Sequence, residues 1–210
     1  MSATSVANGV IVAIFESQKP PRIFSGWRGL LLIGLSCCLF GRGLAAEPSM
    51  GKGTPPAVIV VSETASWLER LAALEVRRYL YLRTGQLLPI QHGLPNGNAD
   101  VILLARSDRL LESDLLPKET LELYRDSLRE RIQRAGKHGY LLWTLPSQGR
   151  HVLLLVSSQD VGLLYAAYRL AEHYGVRFYL EGDVIPDMRL AWSLAQIDEV
   201  RRPLFEHRGI

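Results

Sequence analysis

Short apolar runs of strand type alternate with amphipathic helical stretches along this chain, and that alternation most constrains its fold. Residues 57–62 read AVIVVS and residues 101–105 read VILLA, which is typical of buried β-strands. Strand-type runs occupy residues 57–62, 87–91, 101–105, 140–145, 151–157 and 176–180, and the fourth and fifth form a hairpin joined at 146–149. The pattern predicts a mixed β-sheet of about five strands.

The first helix is predicted from its caps and its spacing. Ser66 and Glu69 form a capping box, and the helix that follows runs to about Thr84 and ends at Gly85. Its apolar positions recur at helical spacing. They are Leu68, Leu71, Ala72, Val76, Tyr79 and Leu80.

A second amphipathic helix and an inserted charged helix complete the fold. Asp160 is a candidate N-cap for a helix that reaches about Tyr174 and stops at Gly175. Its apolar stripe is Val161, Leu164, Tyr165, Tyr168 and Ala171. Residues 117–134 are highly charged and predict a solvated surface helix inserted between strands. We therefore predict an α+β domain over 57–200, with two amphipathic helices packed on one face of the sheet.

The first 46 residues have the pattern of a secretory signal. Residues 30–40 are apolar and uncharged, Arg22 and Arg28 precede them, and the small residues of GLAA at 43–46 follow. The run is too short to span a membrane, which takes about 20 apolar residues. We expect cleavage after Ala45 or Ala46, a Gly/Pro/Ser linker over 47–56, and a periplasmic or extracellular location. A lipid anchor on Cys37 or Cys38 is an alternative, although the residues before them match the usual lipobox poorly.

Residues 1–46, which we call the leader, differ in charge and in cysteine content from residues 47–210, which we call the body. Residues 1–46 hold four basic side chains and one acidic one, whereas the other 164 residues hold 20 of each. The basic excess lies in the leader, so we expect no nucleic-acid partner and membrane contact only through the signal segment. Cys37 and Cys38 are the only two cysteines, which excludes a disulfide, a thiolate nucleophile or a Cys-ligated metal in the body.

The most suggestive candidate site is a carboxylate cluster. Glu181 and Asp183 flank Gly182, and Asp187 follows four residues later. Two carboxylates this close can act as acid and base. The simpler interpretation is a turn over 182–186 in which Asp183 bonds its own backbone. Arg177 is the candidate cation beside these acids.

The other sequence motifs do not indicate a catalytic, nucleotide-binding or metal-binding site. The junction after the first strand contains no glycine and would be a poor phosphate cradle. No two of the five histidines lie at metal-ligand spacing. Ser157-Ser158 lacks the flanking glycines of a nucleophile elbow. We therefore expect neither a nucleotide nor a metal cofactor. Most aromatic side chains fall on predicted core faces, except Trp143 and Trp192, which are candidates for stacking on a sugar.

Two stretches carry a family resemblance. Residues 75–85, EVRRYLYLRTG, and 160–179, DVGLLYAAYRLAEHYGVRFY, resemble the N-terminal domain of microbial α-glucuronidases. The related N-terminal domain of bacterial β-N-acetylhexosaminidases is similar. The motif run D-x-G-x-x-Y followed by G-V-R-F is matched from Asp160 and from Gly175.

The resemblance implies a non-catalytic module that packs against a (β/α)8 barrel. Residues 201–210 run from a Pro turn into an extended segment, and 203–210, PLFEHRGI, resembles the P-x-F-x-x-R-G opening of that barrel. We expect this segment to begin a following domain that is cut short here. The paired catalytic carboxylates would lie on later barrel strands, so no catalytic residue is carried over. Arg208 is the one residue that the resemblance places near substrate.

Three functions are consistent with these observations. The first is an exported module of a polysaccharide-degrading glycoside hydrolase, in contact with carbohydrate only through the parent enzyme. The second is a free-standing carbohydrate-binding or protein-interaction domain. The third is a small hydrolase that uses Glu181 and Asp183.

Overall fold

The computed structural model describes residues 55–112 and 115–203. The predicted signal segment, most of the linker and the segment 204–210, with Arg208, lie outside the described residues. In chain order the elements are β1 (Ala57–Val61), α1 (Trp67–Thr84), β2 (Ile90–His92), β3 (Asp100–Arg106), α2 (Ser107–Glu112), α3 (Lys118–Ala135), β4 (Tyr140–Ser147), β5 (Arg150–Ser157), α4 (Asp160–His173), β6 (Arg177–Tyr179), β7 (Gly182–Val184) and β8 (Asp198–Arg201).

The main sheet is mixed and has six strands in the order β2-β1-β3-β5-β4-β8. Strands β2, β1, β3 and β5 are parallel, while β4 pairs antiparallel with both β5 and β8. The predicted α+β class is confirmed. The predicted last strand differs, because β6 pairs only with β7 in a separate two-stranded hairpin. The sixth strand of the sheet is instead β8.

Helices α1 and α4 lie side by side on one face of the sheet, as predicted. Side chains alternate along β1, so that Ala57, Ile59 and Val61 face α1 and α4 while Val58 and Val60 face the other side. Because both faces are covered, the parallel strands are apolar throughout rather than alternating.

Helix α3 covers the second face of the sheet. Its polar side is exposed, as expected of a surface helix, but Leu121 and Leu128 are buried against β3, β4 and β5. Leu110 of α2 joins the same cluster. The domain therefore has three layers, with the sheet in the middle.

The caps of α1 confirm the sequence prediction. The Glu69 backbone N–H donates to Ser66 Oγ at 3.2 Å, and the Ser66 N–H donates to the Glu69 carboxylate at 2.6 Å. Gly85 ends the helix in the left-handed region, with φ of 73°. No helix among residues 55–112 and 115–203 is long and apolar enough to cross a membrane.

Two details of α4 were predicted wrongly. Gln159 is the N-cap, without a side-chain cap bond, and Asp160 is instead paired with Arg106. The buried face is Gly162, Leu163, Ala166, Ala167, Leu170 and Ala171, so four of the five predicted stripe residues lie only at its margin. The small residues explain which face of α4 is buried, because they let the helix approach α1 and the sheet closely.

Candidate functional site

The β6–β7 hairpin projects an apolar surface from the end of α4. Phe178, Tyr179 and Val184 are exposed, and Leu180 at its turn is 100% exposed. We call these four residues the hairpin surface. Strand alternation places Tyr179 and Val184 on one face of the hairpin and Phe178 on the other. A group of exposed apolar side chains in one short hairpin makes it a candidate contact site.

A buried arginine fixes the chain on both sides of this hairpin. Arg83 of α1 is only 3% exposed. Its Nε donates to the carbonyl of Tyr174 at 2.7 Å, and its Nη1 donates to the carbonyls of Pro186 at 2.5 Å and Met188 at 2.8 Å. A buried guanidinium is costly unless its donors are satisfied, and here carbonyl oxygens accept from three of its five N–H groups. The hairpin is thus anchored at its start and after its end.

Tyr79 provides a second anchor, one helical turn before Arg83. Its hydroxyl donates to the Asp183 carboxylate at 2.9 Å, and Arg78 donates to the same oxygen at 3.2 Å. The Tyr79 ring contacts the rings of Tyr168 and Phe178 edge to face, at 6.3 and 5.5 Å between centroids. Burial and the bond to Asp183 raise the pKa of Tyr79 to about 12.

The predicted carboxylate cluster is spread over this hairpin. Glu181 occupies its turn, Asp183 lies in β7, and Asp187 lies in the bend that follows. Hydrogen bonds from Tyr79, from its own backbone and from Arg78 lower the pKa of Asp183, so its carboxyl stays ionised near neutral pH. The prediction that Arg177 pairs with these acids is wrong, because Arg177 donates to the carbonyls of Glu172 and Val176. An ionised, doubly bonded Asp183 suits a structural role.

A second feature, which we call the Arg169 cleft, lies where α4 meets β4 and β8. It has a volume of about 270 Å³. Its lining includes the guanidinium groups of Arg169, Arg201 and Arg202, the imidazole of His138, and the tyrosines Tyr140, Tyr165 and Tyr168. These side chains come from the α3–β4 loop, β4, α4, β8 and the residue after β8.

Glu199 of β8 is the shared hydrogen-bond acceptor for basic side chains beside this cleft. Its carboxylate accepts hydrogen bonds from Arg169 Nε at 2.9 Å, from Arg201 Nε and, through a ring nitrogen at 2.9 Å, from His173. Burial would raise the pKa of Glu199, but the bonds from Arg201, Arg169 and His173 outweigh burial and lower the pKa to about 2. Arg169 also donates to Glu172 at 2.7 Å, which fixes its guanidinium.

The lowered pKa of Glu199 predicts an acid-sensitive contribution to stability. The ionised network contributes its full stabilisation above the ordinary glutamate pKa of 4.5, and this contribution is lost as the pH falls toward the lowered pKa of about 2. We expect Glu199→Gln to lower the free energy of unfolding by about 1–3 kcal/mol at pH 7, an amount reduced by the exposure of Arg201. Urea unfolding at several pH values should show this deficit closing toward pH 2.

The matched control for Glu199 is Glu181→Gln, because the Glu181 side chain is exposed in the hairpin turn. It should leave stability nearly unchanged at every pH. A Glu199→Gln deficit that stays constant from pH 7 to pH 2 would contradict the assigned role of the ionised carboxylate.

The remaining predicted site residues have structural partners. His92 contacts the carbonyl of Val61 and Ser157 Oγ donates to the carbonyl of Gly139. Within the part of the chain that the structure describes, no group of His, Cys, Asp and Glu could hold a metal ion. Trp143 is partly buried and contacts Tyr124 and Arg131, and Trp192 is partly buried against the α1/α4 core. Their stacking on a sugar stays a prediction. Of the three tryptophans in the described part of the chain, Trp67 is the exposed one, at 71%.

Arg83 and the Arg169 cleft were missed from the sequence. The signal for Arg83 was a charged residue on the apolar face of α1, four positions after Tyr79. The cleft offered no local signal, since its residues come from distant parts of the chain.

Comparison with known proteins gives a likeness among solved structures. No protein-family model matches the chain, and no curated protein matches it. Among solved structures, the chain is similar to a family GH115 4-O-methyl-α-glucuronidase with specificity for decorated arabinogalactans, at 18% identity and a TM-score of 0.37. The match covers 59% of this chain and 14% of that enzyme. A likeness at this level does not establish a shared activity.

Proposed function

We propose that this chain is the exported, non-catalytic N-terminal module of a polysaccharide-degrading glycoside hydrolase of the α-glucuronidase type. In this proposal the hairpin surface packs against a catalytic (β/α)8 domain that follows in the same polypeptide. One observation carries the proposal. The two stretches that bear the family resemblance meet in space and anchor the hairpin.

The contacts explain what residues of the two resembling stretches do in the fold. Tyr79 and Arg83 come from the first stretch, and Tyr174 and Phe178 come from the second. Their ring contact and hydrogen bond join the two stretches at one end of the α1–α4 layer. The glycine of the D-x-G run has a role as well, because a Cβ at Gly162 would lie 2.1 Å from Ser157 Oγ. The start of α4 can therefore sit tightly on the end of β5.

The proposed occupant of the hairpin surface is the following catalytic domain. Segment 203–210 resembles the opening strand of the barrel in the related enzymes, and it follows β8 directly in the chain. A domain tethered this closely has a high effective concentration at the surface of its neighbour. An apolar hairpin fixed by a buried arginine is suited to a permanent contact, since little ordering remains to be done on docking.

The proposed parent chemistry is acid/base hydrolysis by two barrel carboxylates. Asp183 fits poorly as the acid of such a pair, because an ionised carboxylate held by Tyr79 and Arg78 has no proton to donate near neutral pH. Export is proposed from the leader pattern, and it would place the enzyme where extracellular polysaccharide is found.

The hairpin surface predicts a specific mode of self-association. In the absence of a docked partner, the chain should associate through these apolar side chains, and Leu180→Asp should reduce association by at least about tenfold, or 1.4 kcal/mol. Sedimentation of the full chain over a concentration series measures this. The leader is present in every variant, so the difference between variants reports the hairpin.

The control variant is Leu123→Asp, whose parent side chain is 73% exposed on α3 and belongs to the opposite face of the sheet. It should leave association unchanged. A wild-type chain that stays monomeric at high concentration, or an equal effect of the two variants, would count against the hairpin as a docking surface.

A further inference from the structure

The Arg169 cleft is lined almost entirely by hydrogen-bond donors. Of its nine lining residues, seven carry a donor on the side chain, and the two exceptions are Glu172 and Pro203. Burial raises the pKa of Tyr140 and of Tyr168, so both phenols remain protonated and able to donate. A lining rich in donors is matched by a ligand rich in acceptors.

The two carboxylates near the cleft already accept hydrogen bonds from arginine side chains. Glu172 accepts from Arg169, and Glu199 accepts from Arg169, Arg201 and His173. Arg202, in contrast, is exposed at the mouth and makes no hydrogen bond or ion pair to any residue in 55–112 or 115–203. Three guanidinium groups therefore meet two carboxylates here, which leaves a positive charge for an anion to balance.

The network also holds the cationic groups in place before any ligand arrives. Arg169 is fixed by two carboxylates and Arg201 by one, so neither side chain must be ordered on binding. The volume of about 270 Å³ lies at the lower limit for small-molecule pockets, which suits a ligand the size of one sugar ring or less.

We propose that the Arg169 cleft binds a small organic oxyanion, with its carboxylate or phosphate group facing Arg201 and Arg202 and its remaining oxygens facing the tyrosine hydroxyls. The cleft borders the hairpin surface at Tyr168, whose ring contacts Phe178 at 5.2 Å between centroids. The guanidinium groups that would bind the anion lie outside that surface, and the proposal does not depend on the proposed glycosidase module. Binding at the cleft and docking at the hairpin can therefore succeed or fail independently.

The test is calorimetric titration of the full chain at constant ionic strength with four probes. They are inorganic phosphate, glucose 6-phosphate, galacturonate and neutral glucose. We expect saturable binding of at least one oxyanion with a dissociation constant below about 10 mM, and binding of glucose at least about tenfold weaker. A preference for the phosphates or for galacturonate identifies which oxyanion the cleft takes, and either preference supports the proposal.

Variants separate the cleft from general surface charge. Arg202→Gln removes a side chain that bonds to no described residue, so the fold should be unaffected, and we expect affinity to fall by about tenfold or more. Arg129→Gln is the control, since Arg129 is exposed on α3 and outside the cleft. The proposal is overturned if no oxyanion binds saturably, if glucose binds as well as the oxyanions, or if the two variants weaken binding equally.

Discussion

Replacing Arg83 with leucine should destabilise the fold by about 3 kcal/mol. The substitution keeps much of the side-chain volume but leaves the carbonyls of Tyr174, Pro186 and Met188 without their donor. The Tyr174 carbonyl is in a buried environment and should account for most of the loss, whereas water can reach the exposed segment at 186–188. Urea unfolding of the full chain measures the change.

A second readout locates the effect of Arg83→Leu. Because Arg83 anchors the segment after β7, we expect faster proteolytic cleavage between residues 180 and 190 in this variant. Arg70→Leu is the matched control on the exposed side of the same helix, and it should cost about 0.5 kcal/mol or less. Equal losses for the two arginines would show that Arg83 does not hold the hairpin.

Gly139→Ala should be comparably severe, for a steric reason. A Cβ at this position would lie 2.0 Å from the carbonyl oxygen of Ala135 and 2.3 Å from that of Arg201. Both are backbone atoms, so either the end of α3 or strand β8 must move. Overpacking of this kind typically costs about 1–3 kcal/mol and occasionally more, and we expect a loss at the upper end, near 3 kcal/mol.

The comparison for Gly139 is Gly149→Ala in the β4–β5 turn. Gly149 has φ of 79° and no atom within 4 Å of the added Cβ, so only backbone strain of about 1 kcal/mol is expected. Thermal and urea unfolding of the two variants should differ by about 2 kcal/mol, the difference between these two costs. A Gly139→Ala protein as stable as Gly149→Ala would contradict the close approach of α3 to β8.

Elements with a strong local signal were predictable from the sequence. A few consecutive residues are enough to recognise the capping box at Ser66, the β4–β5 hairpin and the apolar strands β1 and β3. The buried face of α4 differs from the predicted one. The prediction followed hydrophobicity and so included Val161 and Leu164, whereas the face that packs closely includes the smaller Ala166 and Ala167.

Other features depend on contacts that local patterns do not show. Strand β8 reads DEVR and carries almost no apolar signal, yet it pairs with β4, packs Val200 against the core and places Asp198 and Glu199 beside Arg131 and Arg169. Helix α3 covers the second sheet face with few apolar side chains in a charged sequence. The Arg169 cleft is likewise built from residues up to 65 positions apart in the chain, from 138 to 203. Only the fold brings them together.

The intact mass and the N-terminal residue of the native protein, isolated from its source, test the central claim most directly. We predict a chain that begins at Glu47 or its neighbour and is larger than residues 47–210 by at least a (β/α)8 domain, roughly 250 residues. A native mass close to that of residues 46–210 would contradict the account. The domain would then stand alone, as a carbohydrate-binding or protein-interaction domain.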